Sequence, residues 1–320
     1  MASPIYQRFL PVVALASNVV SILIYLNAFM GAASSFSARR PFHSHPEAVI
    51  IHVVPASQYS TKVIAGLTQR GIPHFLEFSH GDPSSRCLPS GGDMVPELEM
   101  AGAGTPDSAA IFRFLDARGL PQLQHAPFFP SSDATGRETA ERVERLERLA
   151  EDQLDHFCNY FNFVDSDGYQ RSVRQSLARY VPMWAFWINI DDRLADKRAS
   201  EAAACRRYFL SSDEPSAVLD CSIVRNAWHA ILLQLEAEFS TSESWTFCGT
   251  AYPTAADFAV FSKFARLQDH LGDVSIGAGF PDAMHCCASE TPRLQAWYQR
   301  MRIECPLVWR NKRVPPVSAP

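Results

Sequence analysis

The sequence predicts a small α/β module followed by an all-α half. Three observations carry this reading. An apolar run of strand length, 48–54, is followed by a helix-period stretch closing on Gly71 and a second strand at 74–78. A proline-rich stretch, LPQLQHAPFFPSSDA, then interrupts the chain at 120–134. Beyond it the apolar residues keep the spacing of amphipathic helices.

AVIIHVV (48–54) has the continuous apolar character of a buried parallel strand. From Ser60, Val63, Ile64 and Leu67 share one helical face, and Gly71 with Ile72-Pro73 stops the helix. HFLEF (74–78) alternates as a second strand, and 79–94 is a Gly/Pro/Ser loop. VPELEM (95–100) is predicted as a third strand, AGAG as a turn, and Asp107-Ser108 as the cap of a helix closing on Gly119. The module therefore reads β-α-β-loop-β-(β)-α. In the second half, Thr135 and Glu138 form a capping-box pair. They open a long helix with Val143, Leu146, Ala150, Leu154, Phe157 and Phe161 facing inward. A further helix passes through Val173, Leu177 and Tyr180 towards Trp184, and others are expected near 193–210 and 216–239. Thr254 and Asp257 start a helix that buries Phe258, Phe261, Phe264 and Ala265, and Thr291-Pro292 starts the last one.

The chain has 320 residues, 47% of them hydrophobic, enough for one large core or two ordinary ones. Its net charge of -5 comes from interspersed acids and bases, so no basic stripe points to nucleic acid. Eight cysteines are scattered without a C-x-x-C pair, which argues for buried free thiols rather than a disulfide framework. His285-Cys286-Cys287 lacks a second ligand pair at zinc spacing, so no metal is expected. Between Arg8 and Arg39 there is no charged residue. The apolar stretch at 9–31 has the length of a membrane span, about 20 residues. Small residues follow, then Arg39-Arg40. A signal anchor, a cleaved signal peptide, and a signal peptide followed by an organelle transit segment all fit this pattern. Each makes the protein membrane-anchored, or targeted to an organelle or the secretory route.

Three segments carry a resemblance to a known family. SQYSTKVIAGLTQRGIPH is similar to the opening turn and first helix of the cytosolic-type glutathione transferases. MVPELEMAGAGTPDSAAIFRFLD resembles their Val-Pro strand start, hairpin and acid-Ser pair before a helix. FCGTAYPTAADFAVF resembles the signature of their helical domain, and TPRLQAWYQRM their late helix. The resemblance spans roughly 47–305 and is looser over 165–240. It implies a thioredoxin-like N-terminal domain at 46–119, a linker at 120–134 and an all-α C-terminal domain at 135–306. An anchor or targeting segment at 1–45 and a tail at 307–320 flank them. It also implies glutathione as co-substrate, a hydrophobic small molecule as second substrate, and a homodimer.

The chemistry of such a site can be stated from the residues. A glutathione thiol has an ordinary cysteine-like pKa of about 8.5 and must be held as thiolate to attack at neutral pH. A helix N-terminus offers free N–H groups and partial positive charge, and a hydroxyl there adds one hydrogen bond to sulfur. Ser57 stands at that place, as both the expected catalytic hydroxyl and an ordinary N-cap. Ser60 is a second candidate cap, and Tyr59 a competing hydroxyl in the first turn. Ser57 and Ser60 occupy the positions of a redox C-x-x-C pair, so thiol–disulfide exchange is excluded here and serine-type transferases are the fitting comparison. By resemblance, Val95-Pro96 is a cis pair whose Val95 backbone meets the ligand peptide. Asp107 and Ser108 take its γ-glutamyl end, and Arg86 its glycyl carboxylate. Phe157, Tyr160, Phe161, Trp184, Phe186 and Trp187 are candidates for lining the second-substrate pocket or for plain core. Thr254 and Asp257 read as folding determinants. Two alternatives to conjugation remain: a binding or scaffold protein on the same fold, and a glutathione-dependent isomerase or peroxidase.

Overall fold

The computed structural model describes residues 49–54, 57–78, 88–92, 94–131, 136–174, 190–214, 216–239, 244–269 and 290–307. Arg86, Thr135, Leu177, Tyr180, Trp184, Phe186, Trp187 and the 9–31 stretch lie outside them. Among the described residues no helix is long and apolar enough to cross a membrane.

The first module is β1 (Val49–Val53), α1 (Gln58–Gln69), β2 (His74–Phe78), β3 (Glu97–Met100), β4 (Ala103–Pro106) and α2 (Ser108–Ala117). The strands form one sheet in the order β2-β1-β3-β4. β1 and β2 are parallel, as the crossover through α1 requires, while β3 pairs antiparallel with both β1 and β4. β3 begins at Glu97, two residues later than expected, because Val95-Pro96 precedes the ladder. The expected AGAG turn narrows to Ala101-Gly102, both at positive φ, and Ala103-Gly104 enter β4. Ile51, Val53 and Leu98 of the sheet share one core with Val63, Ile64 and Leu67 of α1 and Ile111, Phe112 and Leu115 of α2.

The second half is helical, as expected. α3 (Arg137–Leu149) continues through a π-helical turn (Ala150–Leu154) into α4 (Asp155–Asn159) and a second π turn (Tyr160–Val164). The six inward positions predicted from Val143 to Phe161 are all buried. The N-cap of α3 is Gly136, with no side-chain cap bond. Val173 lies in a π-helical turn, Tyr169–Arg174. Among the described residues the later long helices are α5 (Ile190–Leu210), α6 (Cys221–Glu238), α7 (Ala255–Asp269) and α8 (Pro292–Glu304). α6 starts five residues later than the pattern at 216–239 suggested, because Asp220 caps it by accepting from the Ser222 N–H at 2.9 Å.

α7 sits at the centre. It packs along α1 on one side and against α3 and the first π turn on another. Its start is held by Asp257, which is fully buried and accepts from the N–H of Thr254 (2.8 Å) and Phe247 (3.1 Å), the Thr254 hydroxyl (3.0 Å) and Trp297 Nε1 (3.0 Å). These bonds give Thr254 and Asp257 the folding role expected of them. The connecting segment is fixed from both sides. Asp116 accepts from the Phe128 and Phe129 N–H groups at 3.0 and 2.8 Å, and the Phe128 carbonyl accepts from Ala255 at 2.9 Å. The result is the architecture that the resemblance implies, a thioredoxin-like sheet module followed by an all-helical half.

Candidate ligand site at the end of the sheet

The strand register brings three separate segments to one end of the sheet. His52 pairs with Glu97, and Glu97 with Pro106. Val54 and Ser57, Val95-Pro96, and Asp107-Ser108 therefore lie just beyond three adjacent strands at one edge. Two of these segments are helix starts, where backbone N–H groups lack intrahelical partners.

Ser57 turns tightly off β1, its N–H bonding the Val54 carbonyl at 3.2 Å. It is the N-cap of α1, and its Oγ accepts from the Ser60 N–H at 3.4 Å. Ser60, the other candidate cap, is buried inside the helix. As a cap, Ser57 Oγ is an acceptor only. Its own O–H donates to no group among the described residues, so capping and donation to a ligand are compatible.

The competing hydroxyl is committed elsewhere. Tyr59 donates to Asp155 Oδ2, Gln58 Nε2 donates to Asp155 Oδ1 at 3.1 Å, and Lys263 pairs with the same Oδ1. Lys263 Nζ also lies 4.2 Å from the centre of the Tyr59 ring. Burial, then the Asp155 charge, raise the Tyr59 phenol far above its ordinary value, so it stays protonated and bound to Asp155. Asp155 thus fixes the first turn of α1 from the helical half. No sequence pattern singles it out, since it lies 96 residues from Tyr59.

The Val95-Pro96 bond is cis, as expected. The next residue, Glu97, was not anticipated as part of the site's frame. It is fully buried, and its carboxylate accepts from the Ser90 N–H at 2.6 Å and the Ser90 hydroxyl at 2.7 Å. A Cβ at Gly104 would stand 2.0 Å from Glu97 Oε1, so the glycine leaves room for the carboxylate. An acid directly after proline at the start of a short strand was the available signal, since a buried carboxylate must find donors.

Asp107 is the N-cap of α2, with φ 74°, and its Oδ1 accepts from the Ala109 and Ala110 N–H groups, each at 2.9 Å. Its other carboxylate oxygen takes no part in the cap. Ser108 is buried, and its Oγ has no hydrogen-bond partner among the described residues. A buried hydroxyl without a partner at a helix start suits an incoming acceptor group. The structure thus gathers Ser57, Val95, Pro96, Asp107 and Ser108 at one edge, while Arg86 lies outside the described residues.

Phe157, Tyr160 and Phe161 are buried. Phe157 meets Trp228 and Phe209 edge-on at 5.0 and 5.1 Å, the packing of a core cluster. Among the described residues no group of three or more His, Cys, Asp or Glu is placed to hold a metal ion.

No family model matches the sequence, and no curated protein matches it. Solved structures do. The chain is similar to a rice glutathione transferase crystallised with glutathione, at 15% identity and a TM-score of 0.48, over 80% of this chain and 88% of that one. It is also similar to FzlA from C. crescentus, at 16% identity and 0.48, over 81% and 89%. A third is a Methylobacterium radiotolerans glutathione transferase in complex with glutathione sulfonate, at 17% and 0.44, over 82% and 97%. The reading of the site rests on the chain's own register and helix caps.

Proposed function

We propose that this protein binds glutathione at the end of the sheet and uses the Ser57 hydroxyl to stabilise its thiolate for conjugation to a hydrophobic electrophile. One observation supports this most: the His52–Glu97–Pro106 register brings two helix starts and the Val95-Pro96 segment to one edge. The residues there fit the ligand. Ser108, with an unpartnered buried Oγ and a first-turn N–H, suits the γ-glutamyl carboxylate, and the uncommitted oxygen of Asp107 suits the neighbouring ammonium. The Val95 backbone suits the cysteinyl amide. Ser57 keeps a donor for sulfur and Tyr59 does not. With a serine at each position of a redox pair, this edge offers no thiol of its own.

The test titrates the thiol of bound glutathione by ultraviolet absorbance in the full-length chain. Ser57→Ala should retain binding and raise the bound-thiol pKa by about one to two units, the value of one hydrogen bond to a charged group, about 1.5–3 kcal/mol. Absence of glutathione binding would sink the proposal. Binding with an ordinary thiol pKa in the unmutated protein would leave a binding protein without a thiolate-generating site.

A further inference from the structure

The carboxylate of Asp155 gathers its donors at the start of α1, beside Ser57. Its Oδ1 accepts from Gln58 Nε2 at 3.1 Å and from Lys263, and its Oδ2 accepts from the Tyr59 hydroxyl. Gln58 and Tyr59 are the first two residues of α1 after the Ser57 cap. Ser57 itself is bonded to its near neighbours in sequence. Its N–H bonds the Val54 carbonyl at 3.2 Å. Its carbonyl accepts from the Thr61 N–H at 2.9 Å and the Thr61 hydroxyl at 3.0 Å, and its Oγ accepts from the Ser60 N–H at 3.4 Å. These bonds all lie within residues 54–61, and Asp155 adds a tie from the helical half.

The form of that tie bears on orientation. Successive residues project about 100° apart around a helix axis. Bonds from both Gln58 and Tyr59 to one carboxylate therefore fix the rotation of the first turn. Apolar packing does this less well, because it is not directional. The carboxylate is itself anchored, since the buried Lys263 of α7 pairs with it and stands 4.2 Å from the centre of the Tyr59 ring. Glu147, Glu151 and Asp155 recur every fourth residue from α3 through the π turn into α4, on one face towards α1. Lys62 takes the first two, at 2.7 and 2.8 Å, and Gln58, one turn back along α1, takes the third. The two ties differ in what they hold. Lys62 lies inside the helix, whereas Gln58 and Tyr59 belong to the turn that carries Ser57.

We propose that Asp155, backed by Lys263, is the positioning residue of the thiolate site: it fixes the rotation of the first turn of α1 and with it the direction of the Ser57 hydroxyl. A hydrogen bond weakens steeply once its angle falls below about 120°. A donor free to turn therefore stabilises a thiolate less than one held in line. Asp155 acts through Gln58 and Tyr59 and not by touching the ligand. The consequence for the thiolate rests on the reading of Ser57 above; the hold on the Ser57 turn does not.

Asp155→Ala would strand the buried Lys263 ammonium, and the lost stability would obscure the result. The test variant is therefore Gln58→Met with Tyr59→Phe, which cuts both ties to α1 and leaves the Lys263–Asp155 pair in place. Two readouts are taken on the full-length chain. The first is amide hydrogen exchange without glutathione. The Ser60 N–H, which bonds Ser57 Oγ, should exchange about tenfold faster in the double variant, while the Leu67 N–H, deep in α1, keeps its rate. The second is ultraviolet titration of the bound glutathione thiol. The double variant should raise its pKa by about half or more of the shift that Ser57→Ala produces, with glutathione affinity changed less than about threefold. In a Ser57→Ala background the same two substitutions should add nothing, because the donor they misalign is already gone. Lys62→Met is the control. It loosens α1 further in and should leave the thiol pKa where it is. The inference is overturned by an unchanged Ser60 exchange rate, or by an unchanged thiol pKa in the double variant where Ser57→Ala does shift it. A shift of equal size with and without the Ser57 hydroxyl also overturns it. So does a shift in Lys62→Met as large as the double variant's, which would reduce the effect to lost stability. The two proposals fail separately. If glutathione does not bind, or Ser57→Ala leaves the thiol pKa unmoved, while Ser60 exchange still quickens, the thiolate reading falls and Asp155 stands as the residue that holds the Ser57 turn.

Discussion

Gly66 lies in the middle of α1, where glycine costs a helix about 1 kcal/mol relative to alanine. The reason for its presence is steric. A Cβ there would come within 2.6 Å of the Phe112 ring and 2.9 Å of the Phe128 ring. Those rings are fully buried and stacked with centroids 4.0 Å apart, with Phe258 edge-on to both, so neither can swing aside. Gly66→Ala should therefore lower stability by about 1–3 kcal/mol despite the gain in helix propensity. Urea unfolding checks this, and a variant as stable as the parent would show that the ring stack yields. The contrast with Ser57 explains what was legible at this scale. Ser57 and Asp107-Ser108 were readable because a cap is a local event, decided within three or four residues. The roles of Gly66, Tyr59 and Glu97 were not, because each is set by a partner brought near by the fold: Phe112 and Phe128, Asp155, and Ser90.

At the scale of elements, α1 has unusual burial for an amphipathic helix. Its apolar face belongs to the core shared with the sheet, and its polar residues Gln58, Thr61 and Lys62 are buried too, because α7 and α3 cover that side. Lys62 Nζ bonds Glu147 Oε1 at 2.7 Å and Glu151 Oε1 at 2.8 Å, tying α1 to α3 and the π turn after it. Burial pushes the Glu147 carboxyl up and Lys62 opposes it, so the lysine is what keeps this acid tolerable as an anion. Lys62→Met should cost about 3–5 kcal/mol, because it leaves buried Glu147 with only the half-exposed Arg113 at 3.8 Å, whereas Lys62→Met combined with Glu147→Leu should recover most of that loss. A double-mutant cycle by denaturant unfolding decides it, and simple additivity would mean that the pair is not coupled. The order of elements was readable because strand runs, Gly and Pro stops and S/T-x-x-D starts mark it along the chain. The two π turns around α4 were not, because the buried positions from Val143 to Phe161 keep an average spacing that an unbroken helix would also give.

At the scale of the whole molecule, the two halves have no independent polar or apolar boundary. Arg70 reaches the Pro253 carbonyl, Phe128 accepts from Ala255, Lys62 pairs with Glu147, and α1 shares its core with α7. Cutting between the halves would expose a charged pair and a face of apolar side chains together, so residues 48–320 should unfold as one cooperative unit. The tryptophans offer a clean test. All six lie at position 184 or later, so tryptophan fluorescence reports on the helical half alone, while circular dichroism reports on both. Ile51→Ala removes a fully buried side chain from the centre of the sheet and should cost about 2–5 kcal/mol. Under cooperative unfolding this distant change must lower the fluorescence midpoint by as much as the dichroism midpoint. If dichroism shifts and fluorescence does not, the sheet module unfolds on its own. The ion pairs and shared core between α1 and the helical half would then hold the halves in place without making them one thermodynamic unit.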